Sequence, residues 1–445
     1  MSNSTMPSVL QTLAANLHQI RSQLAHLDAE ALARRSGFLK RKPRKIPMND
    51  FLLALVSLAA EAVLSLERIA AVIGLVAHVT YSKQALSKRL NAQVESFLAQ
   101  VAAALFGKLS DDARTQGLFR PFRRVLLHDS TVEALPDALA SLFPGSSNQR
   151  KKKRAALKIQ FIADILKGTL VQCSLSGFTR NDQAAAPDIL PVAQCGDLII
   201  RDLGYFALPV MAALGLKGSY FLSRYKHGLR VYDLQGQPLD LVRELKIHAR
   251  FDREVLLGAE QVRARLVARP APEAVANERR RKARANHDGR YQPVREHLVL
   301  MGWNIFVTNV SREVWPPQCL GPLYRLRWRI EMIFKSWKSH LGLRQFNARS
   351  ACLLRLSVMT KLLFCVLVYR FCNALELLGD GQDHVSLLRL ARILGQCAGL
   401  FAAAVLHMTP MQWLEHHLAH HLYYEKRQDR KNYFELVAEL NGALG

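Results

Sequence analysis

The sequence predicts a mixed α/β fold, a sheet-based core carrying a β-rich insertion and flanked by all-helical regions at both ends. Three observations carry that reading. Apolar residues recur at helical spacing up to about residue 110. From Phe122 the pattern changes to short apolar runs, two of which lead into an aspartate. After Asn347 it is helical again. The predicted boundaries are 1–110 for the first helical part, 120–345 for the core with an insertion at 227–302, and 346–445 for the last part.

Composition narrows the function. Half of the 445 residues are hydrophobic, enough for a large core and two or three domains. The net charge of +25 predicts a polyanionic partner, with nucleic acid ahead of a ribosome or an acidic membrane surface. Seven cysteines without a CxxC pair read as small buried hydrophobes in a reducing cytosol, not as a zinc site. The N-terminus has no basic segment leading into an apolar one, so no signal peptide is expected. Leu353–Phe371 is apolar but interrupted by Arg355, Lys361 and Arg370, and reads as a buried helix, not a membrane span. The expected setting is the cytoplasm, at the nucleoid.

In chain order, helical periods cover Val9–Leu32, Asn49–Leu64 and Asn91–Phe106. Between them, Ser65–Asn91 reads as helix, a turn bearing Gly74, and a second helix presenting Lys83, Lys88 and Arg89. A helix-turn-helix entering a DNA groove has this pattern, and so do many cationic surface helices. Arg123–Thr131 reads as a strand delivering Asp129 at its end, followed by strands at Ala156–Ile165 and Thr169–Gly177. Asp197–Phe206 reads as a fourth strand delivering Asp202, with Gly204 permitting a turn into a helix over Tyr205–Leu214, and Ser219–Lys226 as a fifth. With Gln183–Ala193 as a helix or loop before that fourth strand, the order three strands, helix, strand, helix is that of an RNase H-like domain. In the insertion, Asn277–Ala285 reads as a basic helix. Its Arg279, Arg280, Arg281 and Lys282 would suit either phosphate contact or a solvated segment. Trp303 opens a last strand before the stretch that organises the rest.

That stretch, Leu323–Leu343, reads as one long helix. At ~100° per residue, Tyr324, Arg327, Glu331 and Lys338 fall within an arc of roughly 60°. Leu326, Ile330, Ile333, Trp337 and Leu341 form the neighbouring, core-facing stripe. An acid with two cations and a phenol along one ridge suits a phosphodiester site. A solvated helix with Glu331 bridged to Arg327 or Lys335 would also fit.

The spacing Y-x2-R-x3-E-x6-K, with Asp129 and the D-x-G-Y around Asp202 upstream, resembles the signature of the IS-four family of insertion-sequence transposases in the DDE group. The resemblance implies that Asp129, Asp202 and Glu331 are catalytic and hold two Mg2+ ions, with Mn2+ as a possible substitute. It implies that Tyr324, Arg327 and Lys338 grip phosphates and that Trp303 stacks near a flipped base. It further implies an end-binding N-terminal region, a homodimer pairing two ends of double-stranded DNA, and cut-and-paste chemistry through a hairpin. A non-catalytic DNA-binding regulator and a plain metal-dependent nuclease are the competing readings.

Overall fold

The computed structural model describes residues 27–398, apart from 42–44, 60, 62–63, 92, 107–116, 147–153, 167–168, 286–292, 345, 347–349 and 377–385. The helices expected at Met411–His421 and Lys431–Leu444, and most of Val9–Leu32, lie outside those residues.

Five helices come first: α1 (Ala29–Arg35), α2 (Met48–Ser57), α3 (Leu66–Val76), α4 (Lys83–Arg89) and α5 (Val94–Phe106). Ser65 and Ser82 cap α3 and α4, their hydroxyls accepting from the N–H groups of Arg68 at 3.1 Å and Ala85 at 3.2 Å. Gly74 lies inside α3 and not in the turn. A Cβ there would come 2.8 Å from the Val79 carbonyl, so glycine lets the turn fold back on the helix. Only Leu86 of α4 is fully buried; Lys83 and Lys88 are exposed, and Arg89 lies 5.7 Å over the Phe51 ring.

The core elements are β1 (Arg124–Leu135), β2 (Ala155–Asp164), β3 (Thr169–Gly177), α6 (Asp182–Ala185), β4 (Asp197–Arg201), α7 (Leu208–Leu216) and β5 (Tyr220–Arg224). The turn after Asp202 is a short 3-10 segment, Leu203–Tyr205, so α7 starts three residues later than the sequence suggests. The insertion supplies β6 (Val231–Tyr232), α8 (Leu241–Ile247), β7 (Phe251–Leu257), β8 (Val262–Pro270), α9 (Glu273–Arg284) and α10 (Arg295–Leu300). The chain returns as β9 (Trp303–Thr308). All nine strands form one mixed sheet in the order β3-β2-β1-β4-β5-β9-β8-β7-β6. The insertion therefore extends the core sheet through β9.

Beyond β9 the expected single helix is two, α11 (Leu320–Arg325) and α12 (Trp328–His340). At the join the N–H groups of Arg327, Arg329 and Ile330 bond three residues back, to Tyr324, Leu326 and Arg327, a tightened turn that leaves both residues of the break helical in φ and ψ. Then come α13 (Ala351–Glu376) and α14 (Leu387–Gln396).

The sheet is covered on both faces. On one, Val125, Leu127, Ile159 and Phe161 share a core with the N-terminal helices, α12, α13 and α14. On the other, Leu126, Ile162 and Ile199 share a core with α7 and the insertion. The expected stripe of α12 is as the spacing predicts: Leu326, Ile330, Ile333, Trp337 and Leu341 are fully buried. Phe161 meets Phe334 and Trp337 edge-on at 5.7 and 4.9 Å, clamping α12 to the sheet. Among the described residues, Ala351–Tyr369 is long and apolar enough to cross a membrane, but most of its surface lies inside this core. The cysteines are less uniform than expected: Cys319 and Cys365 are buried and Cys195 is exposed.

Two buried cations lock long-range pieces together. Lys361 of α13 donates to the carbonyls of Ala59 at 3.0 Å and Glu61 at 2.7 Å. Burial pulls its pKa from 10.5 down to about 8. The unfolded chain therefore holds more protons than the native one between about pH 8 and 10.5, and stability rises with pH across that window. In urea unfolding, the wild type should gain on Lys361→Met from pH 8 to 10; a flat difference would mean the ammonium is not desolvated. Arg265 of β8 pairs with Asp252 at 2.7 and 2.8 Å and reaches the carbonyls of Val310, Ser311 and Trp315 at 3.3, 3.2 and 2.8 Å. It pins the approach to α11 against the insertion. Arg265→Met should cost about 3–5 kcal/mol in the same assay, the range for breaking one side of a buried pair.

Candidate active site

The site begins with a register. β1 and β4 run parallel, and their last partners are His128 and Arg201. The next residue on each strand is an aspartate, Asp129 and Asp202. Strands lie ~4.8 Å apart, so the two carboxylates emerge side by side. Asp129 is not at the end of its strand, as the sequence suggests, but midway along the twelve residues of β1, which continues in antiparallel pairing with β2 as far as Leu135. What ends at Asp129 is the pairing with β4, and that opens the edge where the acids sit.

The third acid comes from α12. Arg327, at the break before it, reaches all three. Its Nη1 is 3.2 Å from Asp129 Oδ2, its Nη2 is 2.6 Å from Glu331 Oε1, and its Nε is 3.9 Å from Asp202 Oδ1. The i,i+4 bridge of a solvated helix is thus present, but the same guanidinium also ties the helix to both strand acids. Tyr324 donates its hydroxyl to Asp202 Oδ1 at 3.2 Å. Lys338 is placed differently: its ammonium lies 2.6 Å from Glu133 Oε1 and 3.1 Å from the Val132 carbonyl, anchoring the far end of α12 to β1.

Electrostatics follow from burial. Asp129 is largely buried, and desolvation with the charges of Asp202 and Glu331 pushes its pKa up to about 6 against the pull of Ser130 N–H and Arg327. The side chains of Asp202 and Glu331 are about half exposed, at 48% and 42%. Burial raises the Tyr324 hydroxyl to about 12, so it is a proton donor at neutral pH. Among the described residues no three acids, histidines or cysteines are grouped closely enough to hold a metal ion, and Arg327 stands between these carboxylates; by donor type alone the set would suit a hard, oxygen-seeking divalent cation.

The other predicted residues lie away from the acids. Trp303 is half-buried at the start of β9, packed on the second core, its carbonyl accepting from Arg279 at 3.2 Å. Arg279 and Arg280 hold α9 in place, Arg279 also reaching the Met301 carbonyl at 3.4 Å and Asn304 Oδ1 at 2.8 Å, Arg280 the Leu298 carbonyl at 3.1 Å. Arg281 and Lys282 are exposed, and Lys282 bridges Glu278 at 2.7 Å. Lys83, Lys88 and Arg89 sit on α4, in the N-terminal region.

Two neighbours escaped the sequence reading. Arg224, at the end of β5, lies 5.5 Å over the Tyr324 ring and, with Arg279, Lys282, Ala283 and Met301, lines an open hollow of about 470 Å³. Trp328, beside Arg327, is 49% exposed. A helical wheel puts Trp328 off the polar ridge, and nothing local marks Arg224. Conversely, His128 is a buried neutral strand residue, its pKa pushed down to about 3 by burial and Arg201. Asp164 is fully buried, its Oδ1 accepting from the N–H groups of Val125 at 3.4 Å and Leu166 at 3.0 Å. Arg124 is held by Asp197 at 2.5 and 2.9 Å.

Comparison with known proteins meets this geometry at the same place. Similar chains include the transposase for insertion sequence element IS231F of Bacillus thuringiensis subsp. israelensis, 26% identical over 357 residues, 75% of this chain and 74% of the relative. The transposase for IS231D of B. thuringiensis subsp. finitimus is 29% identical over 345 residues, 72% and 71% of the two chains. That for IS1151 of Clostridium perfringens is 25% identical over 341 residues, 71% of each. The family described as the transposase DDE domain matches residues 120–367, from just before β1 to within α13, so the stretch that builds the acid edge is the stretch that defines the family, and the chain belongs to it as an insertion-sequence transposase.

Proposed function

We propose that the protein cuts the ends of its insertion sequence by phosphodiester hydrolysis and joins the freed 3′ ends to target DNA, on an RNase H-like core built from β1–β5. The observation that carries this reading is the meeting of three carboxylates from β1, β4 and α12 around one arginine. Asp129, Asp202 and Glu331 would hold two Mg2+ ions, or Mn2+ in their place. Bound there, the metal supplies Lewis acidity toward the attacking and leaving oxygens.

The chain's own residues do the rest. Arg327 is poised to turn from the carboxylates to the phosphate they receive, and its planar fork suits two phosphate oxygens. Tyr324, protonated at neutral pH, donates to a phosphate oxygen. Lys338 supports α12 through Glu133 and adds positive potential beside the strand. The hollow under Arg224, Arg279 and Lys282 has the charge to take backbone phosphates, Arg281 extends that surface, and Arg280 holds it in place. Trp328 and Trp303 offer faces on which an unpaired base could stack. In the reaction, water attacks the phosphorus at the element end and the 3′ oxygen leaves. That 3′-OH then attacks a phosphorus of the opposite strand, closing a hairpin as the 3′ oxygen of the flanking DNA leaves. Hydrolysis reopens it, and the same 3′-OH attacks a target phosphorus in line, expelling the target strand's 3′ oxygen. The N-terminal region, 1–110, binds the end sequence through Lys83, Lys88 and Arg89, and the working form is a homodimer pairing two ends in the bacterial cytoplasm.

Two experiments test this. With the DNA flanking the gene and Mg2+, wild type should give discrete cuts on a denaturing gel. Asp129→Asn, Asp202→Asn and Glu331→Gln should bind that DNA and leave it whole, and Arg327→Ala should cut about 10²–10³-fold more slowly. Binding without cutting by every form would leave a DNA-binding regulator instead. For the N-terminal surface, Lys83→Gln/Lys88→Gln should lower the slope of log K against log salt by about 0.9 for each phosphate that is no longer neutralised; an unchanged slope removes α4 from the DNA.

A further inference from the structure

On the sheet face opposite α12, a polar network lies directly behind the acids. Lys158 of β2 is 5% exposed, and its ammonium is 2.7 Å from Asp182 Oδ1. The same oxygen accepts from Ser130 Oγ at 2.8 Å and Gln160 Nε2 at 3.5 Å. Gln160 Oε1 accepts from the Tyr205 hydroxyl at 2.5 Å. The register explains the grouping. Ser130 lies opposite Gln160 and Val132 opposite Lys158, all on one face, while Asp129 and its partner Phe161 point the other way, toward α12.

None of these side chains reaches the three carboxylates, but two belong to the segments that carry them. Ser130 follows Asp129, and its N–H donates to Asp129 Oδ1 at 2.8 Å. Tyr205 closes the 3-10 turn begun by Asp202, its N–H donating to the Asp202 carbonyl at 3.0 Å. Asp182 packs flush against that turn: a Cβ on Gly204 would come 3.2 Å from Asp182 Cβ and from its Oδ2. An exposed ion pair would contribute little to holding anything. This one sits on a buried lysine, so losing either partner strands a charge, and the geometry is held stiffly.

We propose that Lys158 and Asp182 are positioning residues for the two sheet carboxylates, fixing the spacing of Asp129 and Asp202 through Ser130 and Tyr205. This rests on the reading of those acids as a metal site. The fit of side chains behind the ligands sets how closely two carboxylates match one cation, and loss of such support weakens metal affinity about 10–100-fold.

The test is Mn2+ titration of the full chain by calorimetry, with melting temperature and DNA binding measured alongside. Ser130→Ala should weaken Mn2+ binding about 10–100-fold at unchanged melting temperature and DNA affinity, and Asp182→Asn should weaken it as much while also lowering the melting temperature, because it strands the Lys158 charge. Ser130→Thr, which keeps the hydroxyl, should restore it. The Mg2+ concentration needed for half-maximal cleavage should rise by the same factor, with the rate recovered at saturation. Ser130→Ala removes no charge, so it answers the question even where Asp182→Asn does not fold. Wild-type Mn2+ affinity in Ser130→Ala, or a loss that merely tracks melting temperature, overturns the positioning role. Asp202→Asn is the control: unaltered Mn2+ binding there means the acids hold no metal, and the proposal falls with that reading.

Discussion

The parallel pairing of β1 with β4, ending at His128 and Arg201, is the constraint on which the rest of this molecule depends. It puts two carboxylates on adjacent strands at the same height, an arrangement that repels itself. Burial, with a smaller addition from that repulsion, pushes the Asp129 pKa up to about 6. One guanidinium touching all three acids is the offset available within the chain. That in turn dictates where α12 must start, because Arg327 has to stand over the strand ends before the helix runs back across Phe161. The clamp of Phe334 and Trp337 on that ring, the Lys338–Glu133 pair at the far end and the Arg265 lock before α11 all hold one helix in one place.

Much of this was legible in the sequence. The stripe from Leu326 to Leu341 is a strong periodic signal, and both apolar runs that lead into aspartates are strands. The failures share one cause, contacts made at long range. Leu326 and Arg327 have helical dihedrals and good helix propensity, so no local feature marks the break between α11 and α12; the pull of Asp129 on Arg327 accompanies it. The expected strand stops at Thr131, short of Glu133, whose partner Lys338 lies 205 residues later. Gly74 reads as a turn residue because the backbone approach it permits lies outside the helix that contains it.

The insertion shows the same limit. Alternating residues in 228–241 and 246–260 read as strands, but the strand at Val262–Pro270 lies beyond them, and only pairing across β9 reveals which sheet the insertion joins. Nor does the sequence disclose Lys158, Gln160 and Asp182 as a unit, since they come from two elements and meet only once Ser130 and Tyr205 are in place.

Continuity of the sheet has a metrical consequence. From β1 to β9 there are three strand steps, β1-β4-β5-β9, or ~14 Å at ~4.8 Å each. The base of α9 is bolted to β9 by Arg279. Fourteen ångströms is about four base-pair rises along a duplex at 3.4 Å. The hydrogen-bonded sheet is in effect a graduated rule: the basic helix and the carboxylates cannot slide relative to each other, so under the proposed function the offset between grip and cut would be written into the strand order.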